Sequence, residues 1–312
     1  MKIAFVGTGK IVQRHLAALT TLPDIEVVGH TSPTPAHVEA AVATWGGRGY
    51  PNLDRLLENE TIDAVWLTVP PGEHGAIEQR LLENDIPFLV EKPLALDRQT
   101  AENIDRLIRE RNVITAVGYN WRALDTIPEV RKTLGEHPAH MVIGAWHGST
   151  PTTPWWRYQN QSGGQIVEQA THLIDLARYL LGEAQVISSM SARHTRPQYP
   201  DSDIADVNTA LLKFDNAPGV FSATCLLSGS SDVRLQLIGE GLTITITQAQ
   251  VTYDYGHKRH EFKTQTNSYL RQNQAFLEAV RQNDPSLVYC SYADALKTHQ
   301  LCMDFAEHSN NV

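Results

Sequence analysis

Through the first third of the chain, short and largely apolar runs are separated by stretches in which apolar residues recur every three to four positions. Ile3 to Val6, Ile25 to Val28, Ile62 to Val69, Phe88 to Val90 and Ile114 to Gly118 are runs of the first kind. They lack a polar face, so they read as strands buried on both sides. Ile11 to Leu22, Pro35 to Trp45, Glu73 to Glu83 and Asp97 to Arg111 carry helical spacing. Strands alternating with helices of this length predict an α/β fold, a Rossmann-like doubly wound parallel sheet, over residues 1–120.

After about Asn120 the rhythm changes. A helix (Pro128 to Leu134) and a strand (Met141 to Ala145) lead into a loop rich in Pro, Thr and Trp, Ser149 to Ser162. One long helix is expected from about Gln165 to Leu181. Alternating strands then dominate: Val186 to Arg193, Val207 to Phe214, Val220 to Leu226, Arg234 to Ile238 and Leu242 to Thr247. Asp215-Asn216-Ala217-Pro218-Gly219 reads as a hairpin turn. Strand after strand with little helix predicts an α+β domain over residues 121–312, built on a large, mostly antiparallel open sheet covered on one face. Helices at Tyr269 to Gln282 and Tyr292 to His308 close the chain, and the last is free to pack back on the first domain.

A chain of 312 residues suits two cores better than one. A net charge of -9 argues against a nucleic-acid partner, which needs a basic face. Three scattered cysteines, Cys225, Cys290 and Cys302, fit buried thiols in a reducing compartment. They form no CxxC pair, so no metal site is expected. His257 and His260 lie in a basic stretch read as a solvated turn. The first apolar run stops at Gly7, too soon for a signal peptide. No segment approaches the roughly 18 apolar residues of a membrane span. A cytoplasmic location is expected.

Gly7-Thr8-Gly9-Lys10-Ile11-Val12 joins the first strand to the first helix. A first glycine allows the tight turn, and a second lets the backbone approach a pyrophosphate at the helix N-terminus. In this strand–turn–helix context the loop predicts dinucleotide binding rather than a plain turn. The third glycine position holds Val12. The second strand ends His30-Thr31-Ser32-Pro33-Thr34, without the acid that receives the ribose hydroxyls of NAD. Ser32 and Thr34 could donate to a 2′-phosphate. NADP is therefore favoured, with NAD possible. Glu91-Lys92-Pro93 follows a buried strand, where a lysine can stabilise a developing alkoxide. Glu168, His172 and Asp175 fall on one face of the long helix by spacing, and His172 can take a proton near neutral pH.

Taken in order, these motifs resemble the glucose–fructose oxidoreductase / inositol dehydrogenase (Gfo/Idh/MocA) family over nearly the whole chain. The motifs are Gly7-Thr8-Gly9, Thr68-Val69-Pro70-Pro71 with His74, Glu91-Lys92-Pro93, Gly118-Tyr119-Asn120-Trp121-Arg122, and the Gly163-Gly164…His172…Asp175 helix. The resemblance implies that Lys92 polarises the substrate oxygen and His172 is the general base, with Glu168 beside it. It implies a cofactor lined by Gly7, Thr8, Gly9, Lys10, Ile11, Thr31, Ser32, Thr68, Val69, Pro70, His74, Glu91, Lys92, Asn120, Trp156 and Arg157. Many relatives carry Asp where this chain has Glu168, which moves the carboxylate by about one bond length, ~1.5 Å.

Trp121, Trp146, Trp155 and Trp156 crowd the middle of the sequence, with Tyr119, Arg122 and Tyr158 near them. Aromatic faces beside polar donors suit a polyhydroxylated ring, and equally suit plain packing. The expected activity is an NAD(P)-dependent dehydrogenase or reductase acting on a sugar, sugar derivative or cyclitol. Two alternatives stay open. One is a retained cofactor serving elimination, hydrolysis or epimerisation through transient oxidation. The other is a non-catalytic dinucleotide or sugar sensor. The open sheet face is expected to pair copies into a homodimer or homotetramer.

Overall fold

The computed structural model describes residues 1–229 and 231–309. It divides into two compact units. The first is Met1–Ala123 with Asn267–Leu296; the second is Leu124–Thr266 with the chain from Lys297 on.

Six parallel strands form the sheet of the first unit: β1 (Lys2–Val6), β2 (Glu26–Thr31), β3 (Arg48–Tyr50), β4 (Ala64–Leu67), β5 (Phe88–Val90) and β6 (Thr115–Val117). Their order is β3-β2-β1-β4-β5-β6. Every residue of β4, β5 and β6 is buried, as expected of strands with helices on both faces. Helices α1 (Lys10–Leu19), α2 (Pro35–Trp45), α3 (Leu53–Asn59), α4 (Ala76–Glu83) and α5 (Arg98–Arg111) provide the cover within the first 123 residues. The chain runs outward from β1 to β3, then returns to place β4 beside β1. That reversal opens a crevice beyond the carboxyl ends of β1 and β4, the place where open α/β sheets bind ligands.

The first unit is not confined to the N-terminal third. Helix α9 (Ser268–Gln282) packs on α1 and buries Phe276 and Leu277 in the same core as Trp66. The Trp66 and Phe276 rings meet edge to face at 5.3 Å. A division at residue 120 therefore leaves a second piece of this unit out, because helical periodicity in α9 gives its apolar face but not the core that receives it.

The second unit is built on eight strands in the order β14-β13-β12-β11-β7-β10-β9-β8. They are β7 (Ala139–His147), β8 (Ala184–Ala192), β9 (Val207–Phe214), β10 (Pro218–Thr224), β11 (Asp232–Gly239), β12 (Leu242–Ile246), β13 (Gln250–Asp254) and β14 (Arg259–Lys263). All neighbours pair antiparallel except β7 with β10. β9 alternates cleanly: Asn208, Ala210, Leu212 and Phe214 are buried, while Thr209, Leu211 and Lys213 are exposed. After α6 (Ile127–Glu136) and the short α7 (Gln159–Ser162), helix α8 (Thr171–Leu181) packs against β7 and β11. Ser189 of β8 donates to the Phe305 carbonyl of α10 (Tyr292–Ser309) at 2.8 Å. The opposite face carries Met190, Leu211 and Val220 in the open, with Leu211 and Val220 directly paired across β9 and β10.

Some elements differ from expectation. The stretch read as one helix from Gln165 opens with a π-helical turn, Ile166–Ala170, before α8 begins. The helix expected from Glu73 is interrupted at Gly75, whose φ is +109°. β3, α3, β13 and β14 were not expected, and His260 lies in β14 rather than in a turn. The three cysteines are free and buried, and burial pushes the Cys302 thiol up to about 12. Among the described residues no helix is long and apolar enough to cross a membrane. None of their His, Cys, Asp and Glu side chains group in threes that could hold a metal ion.

Candidate functional site

In the first unit the expected residues converge on the carboxyl edge of the parallel sheet. Gly7 follows β1, Thr31 ends β2, Thr68 follows β4, Glu91 and Lys92 follow β5, and Tyr119 to Arg122 follow β6. The glycine turn is tied on both sides. Gly7 N–H donates to the Thr31 carbonyl at 2.8 Å, and Thr68 N–H to the Val6 carbonyl at 2.8 Å. The Thr68 hydroxyl donates to the Gly7 carbonyl at 2.7 Å. Thr68 thus fastens the turn.

The turn fits a dinucleotide. Gly9 caps α1 without a side chain, and a Cβ built on it would meet nothing within 4 Å. Thr8 Oγ1 is buried with no hydrogen-bond partner among the described residues. Helix N-terminal N–H groups beside open space and a waiting hydroxyl suit a pyrophosphate. Val12, at the third glycine position, is fully buried in the core, so packing occupies that place.

Ser32 at the β2 end is half-buried and Thr34 is exposed. His30 is fully buried, and its Nε2 donates to the Gly46 carbonyl at 3.1 Å. Burial holds its pKa below the ordinary histidine value, so it supplies no cation to this end of the strand.

His74 follows the Pro71–Glu73 turn and faces Glu78 through Nδ1 at 2.5 Å. Glu78 also accepts the Gly75 N–H at 2.7 Å. The carboxylate fixes the ring and leaves Nε2 buried without a partner among the described residues. That nitrogen is a candidate contact for a ribose.

Lys92 is half-buried, and its bond to Pro93 is cis. Asn120 donates to Ser268 at 3.1 Å. Tyr119 and Trp121 are buried, and the buried Arg122 guanidinium is ion-paired with Asp294. Arg122 is thereby held within the unit's own structure.

In the second unit the helix gathers some expected residues and separates others. Trp156 is buried in the Pro154–Arg157 turn, and its indole donates to Glu168 at 2.7 Å. The His172 ring stacks on Trp146 of β7 with centroids 5.8 Å apart. Arg157 lies over the Tyr199 ring, 5.2 Å from its centroid. Trp155, Tyr158, Glu168 and His172 are all half-buried, so each keeps an accessible side. Asp175 does not share their surroundings. It is fully buried and accepts from Thr298 of α10 at 2.9 Å. His172 and Asp175 lie three residues apart in α8, about 60° around its axis, and that offset turns Asp175 toward α10.

Sequence reasoning missed His15 and Asn273. His15 is fully buried, with Nδ1 at 2.9 Å from Asn273 Oδ1 and Nε2 at 3.0 Å from Glu91 Oε1. A signal was present: His15 sits three residues after Val12, on the apolar face of α1, where a polar side chain needs a buried partner.

Two family descriptions match the chain. "Oxidoreductase family, NAD-binding Rossmann fold" covers residues 1–119, and "GFO/IDH/MocA C-terminal domain" covers residues 133–245. The chain belongs to the Gfo/Idh/MocA oxidoreductase family. Its similarity to scyllo-inositol 2-dehydrogenase (NAD(+)) of Bacillus subtilis is 26% identity over 318 residues, 92% of this chain and 88% of that protein. It is 23% identical to inositol 2-dehydrogenase of Rhizobium meliloti over 295 residues, 90% and 89% of the two chains. The fold also matches the crystal structure of KijD10, a 3-ketoreductase from Actinomadura kijaniata in complex with NADP and TDP-benzene. The TM-score is 0.85 at 18% identity, with 97% of this chain and 96% of that chain covered. As a family member, this Gfo/Idh/MocA protein is an NAD(P)-binding oxidoreductase with a Rossmann domain.

Proposed function

We propose that this enzyme moves a hydride between NADP and a carbinol carbon of a sugar, sugar derivative or cyclitol. The observation that carries this is the carboxyl edge of the first sheet. An open cradle at Gly9 and Thr8 after β1 and a lysine after β5 stand at the same carboxyl edge of one parallel sheet, with β4 between their strands. Gly7, Thr8, Gly9, Lys10, Ile11, Thr68 to Pro70, His74 and Asn120 would hold the dinucleotide. NADP is proposed ahead of NAD because β2 ends at Thr31 and Ser32 follows it, with no acid there to repel a 2′-phosphate. The polyhydroxylated substrate class is taken from the inositol dehydrogenases to which the chain is similar.

When bound, the nicotinamide supplies the acceptor for the hydride, which carries both electrons of the C–H bond. Lys92 donates to the carbinol oxygen and stabilises the charge that develops there. His172 takes the hydroxyl proton on a ring nitrogen, and its Trp146 stack holds the ring plane. Glu168, fixed by the Trp156 indole, offers the carboxylate beside it. Trp155 and Tyr158 present aromatic faces to the apolar side of the ring.

Titration of nucleotide-free protein with NADPH and NADH, read by nicotinamide fluorescence, is expected to show saturable binding, tighter for NADPH. A screen of sugars and polyols with NADP then reads turnover. Tighter NADH binding would overturn the cofactor preference. Binding without turnover of any polyol would overturn the dehydrogenase assignment. We also propose that the face bearing Met190, Leu211 and Val220 pairs copies into a homodimer or homotetramer; a monomer by light scattering would exclude this.

A further inference from the structure

A chain of hydrogen bonds, buried as far as Glu91, runs from the core of the first unit to the part-buried Lys92 peptide. It begins at Trp66 of β4, whose indole N–H lies 3.0 Å from Asn273 Oδ1. An indole nitrogen only donates, so the amide atom facing it is the carbonyl oxygen. His15 Nδ1 meets that same oxygen at 2.9 Å, so Nδ1 carries a hydrogen and donates. The ring's tautomer is thereby set by an indole two contacts away. His15 Nε2 then faces Glu91 Oε1 at 3.0 Å. One proton must lie between them, on the nitrogen as an ion pair or on the oxygen as a neutral pair. The second Glu91 oxygen accepts the backbone N–H of Lys92 at 3.2 Å.

The surroundings leave Glu91 little freedom. A Cβ on Gly118 would lie 2.6 Å from its carboxylate, so a residue without a side chain makes the room. The Tyr269 ring closes on His15 edge to face at 5.3 Å, and Arg14 lies over that ring at 5.7 Å. The Glu91 side chain is 7% exposed and that of His15 0%, so water is kept from the contact between them.

We infer that His15 and Glu91 form a positioning dyad that sets the Lys92 peptide, and through it the Lys92 ammonium, without touching substrate. The inference rests on the proposed role of Lys92 for its functional meaning, but not for its geometry. It adds to the expected lining role of Glu91 a second duty directed inward.

The test reads the lysine itself. Reductive methylation with ¹³C-formaldehyde labels every lysine and keeps its charge. Comparison with a Lys92→Arg sample assigns the Lys92 signal, which is followed in the full-length protein bearing Glu91→Ala, Glu91→Gln or Gly118→Ala. Glu91→Gln keeps both bonds, since its carbonyl accepts the Lys92 N–H and its amide donates to the His15 Nε2 lone pair. The Lys92 signal is expected at its wild-type position in Glu91→Gln and displaced in Glu91→Ala. Gly118→Ala removes no polar group and only pushes the carboxylate aside, so it should displace the signal while the protein stays folded. It also covers the case in which Glu91→Ala does not fold.

An unmoved signal in Gly118→Ala and Glu91→Ala would overturn the dyad. For polyol turnover, kcat is expected to fall at least about tenfold in the displaced variants and to recover in Glu91→Gln, on the scale of losing one oriented donor. A displaced signal with unchanged turnover would keep the dyad and overturn the role of Lys92 instead.

Discussion

Lys92→Ala is expected to lower kcat by about 10²–10³-fold, the cost of removing one donor aimed at a developing oxyanion. Nucleotide binding should stay largely intact. The reason is a division of labour along one sheet edge. The turn at Gly7 to Gly9 is built by bonds from Thr31 and Thr68, and none of them involves the lysine side chain. The Lys92 backbone is held by Glu91, so truncation beyond Cβ removes a charge and leaves the chain path alone. Lys92→Arg should rescue little. A guanidinium keeps the charge but is a broad planar fork, and it does not substitute for a compact ammonium at one oxygen. Single-turnover measurement with NADP separates the chemical step from release. Wild-type turnover in Lys92→Ala would sink the assignment.

The sequence showed the parts of this site that are local and hid those that are not. β1, β4 and β5 were legible because burial on both faces leaves apolar runs with no polar interruption to misread. β3 has three residues, two of them exposed, and so presents no pattern. β14 reads Arg-His-Glu-Phe-Lys because an edge strand carries charges that discourage further pairing, and those charges disguise it as loop. Asp175 was grouped with His172 because a three-residue spacing reads as one face, yet it leaves about 60° between them around α8, enough for Asp175 to face α10. Lys92, Glu168 and His172 were singled out through motif order, and their roles are proposals, that of Lys92 tested by the variants above. The His15–Asn273 contact joins positions 258 residues apart, and no local pattern encodes such a pair.

Gly7→Ala and Gly9→Ala are expected to fail differently, and the contrast locates the cradle. At Gly7, φ is +93° and an added Cβ would sit 2.6 Å from the Thr68 carbonyl oxygen. A side chain in that region costs about 1–3 kcal/mol before any clash. The clash is with backbone, and that backbone cannot retreat without breaking the Thr68 N–H bond to Val6 that keeps β4 beside β1. Gly7→Ala should therefore lower the unfolding midpoint and weaken NADPH binding together. At Gly9, φ is -74°, which alanine adopts freely, and the added methyl meets only open space. Gly9→Ala should unfold like the wild type. Its methyl would occupy the space assigned to the pyrophosphate, so NADPH affinity should still fall at least about tenfold, the ~1.4 kcal/mol equivalent of one displaced close contact. Both quantities come from one preparation, by thermal melting and by fluorescence titration. If Gly9→Ala binds NADPH as tightly as the wild type, the phosphates do not pass over the α1 N-terminus, and the open space there has another use.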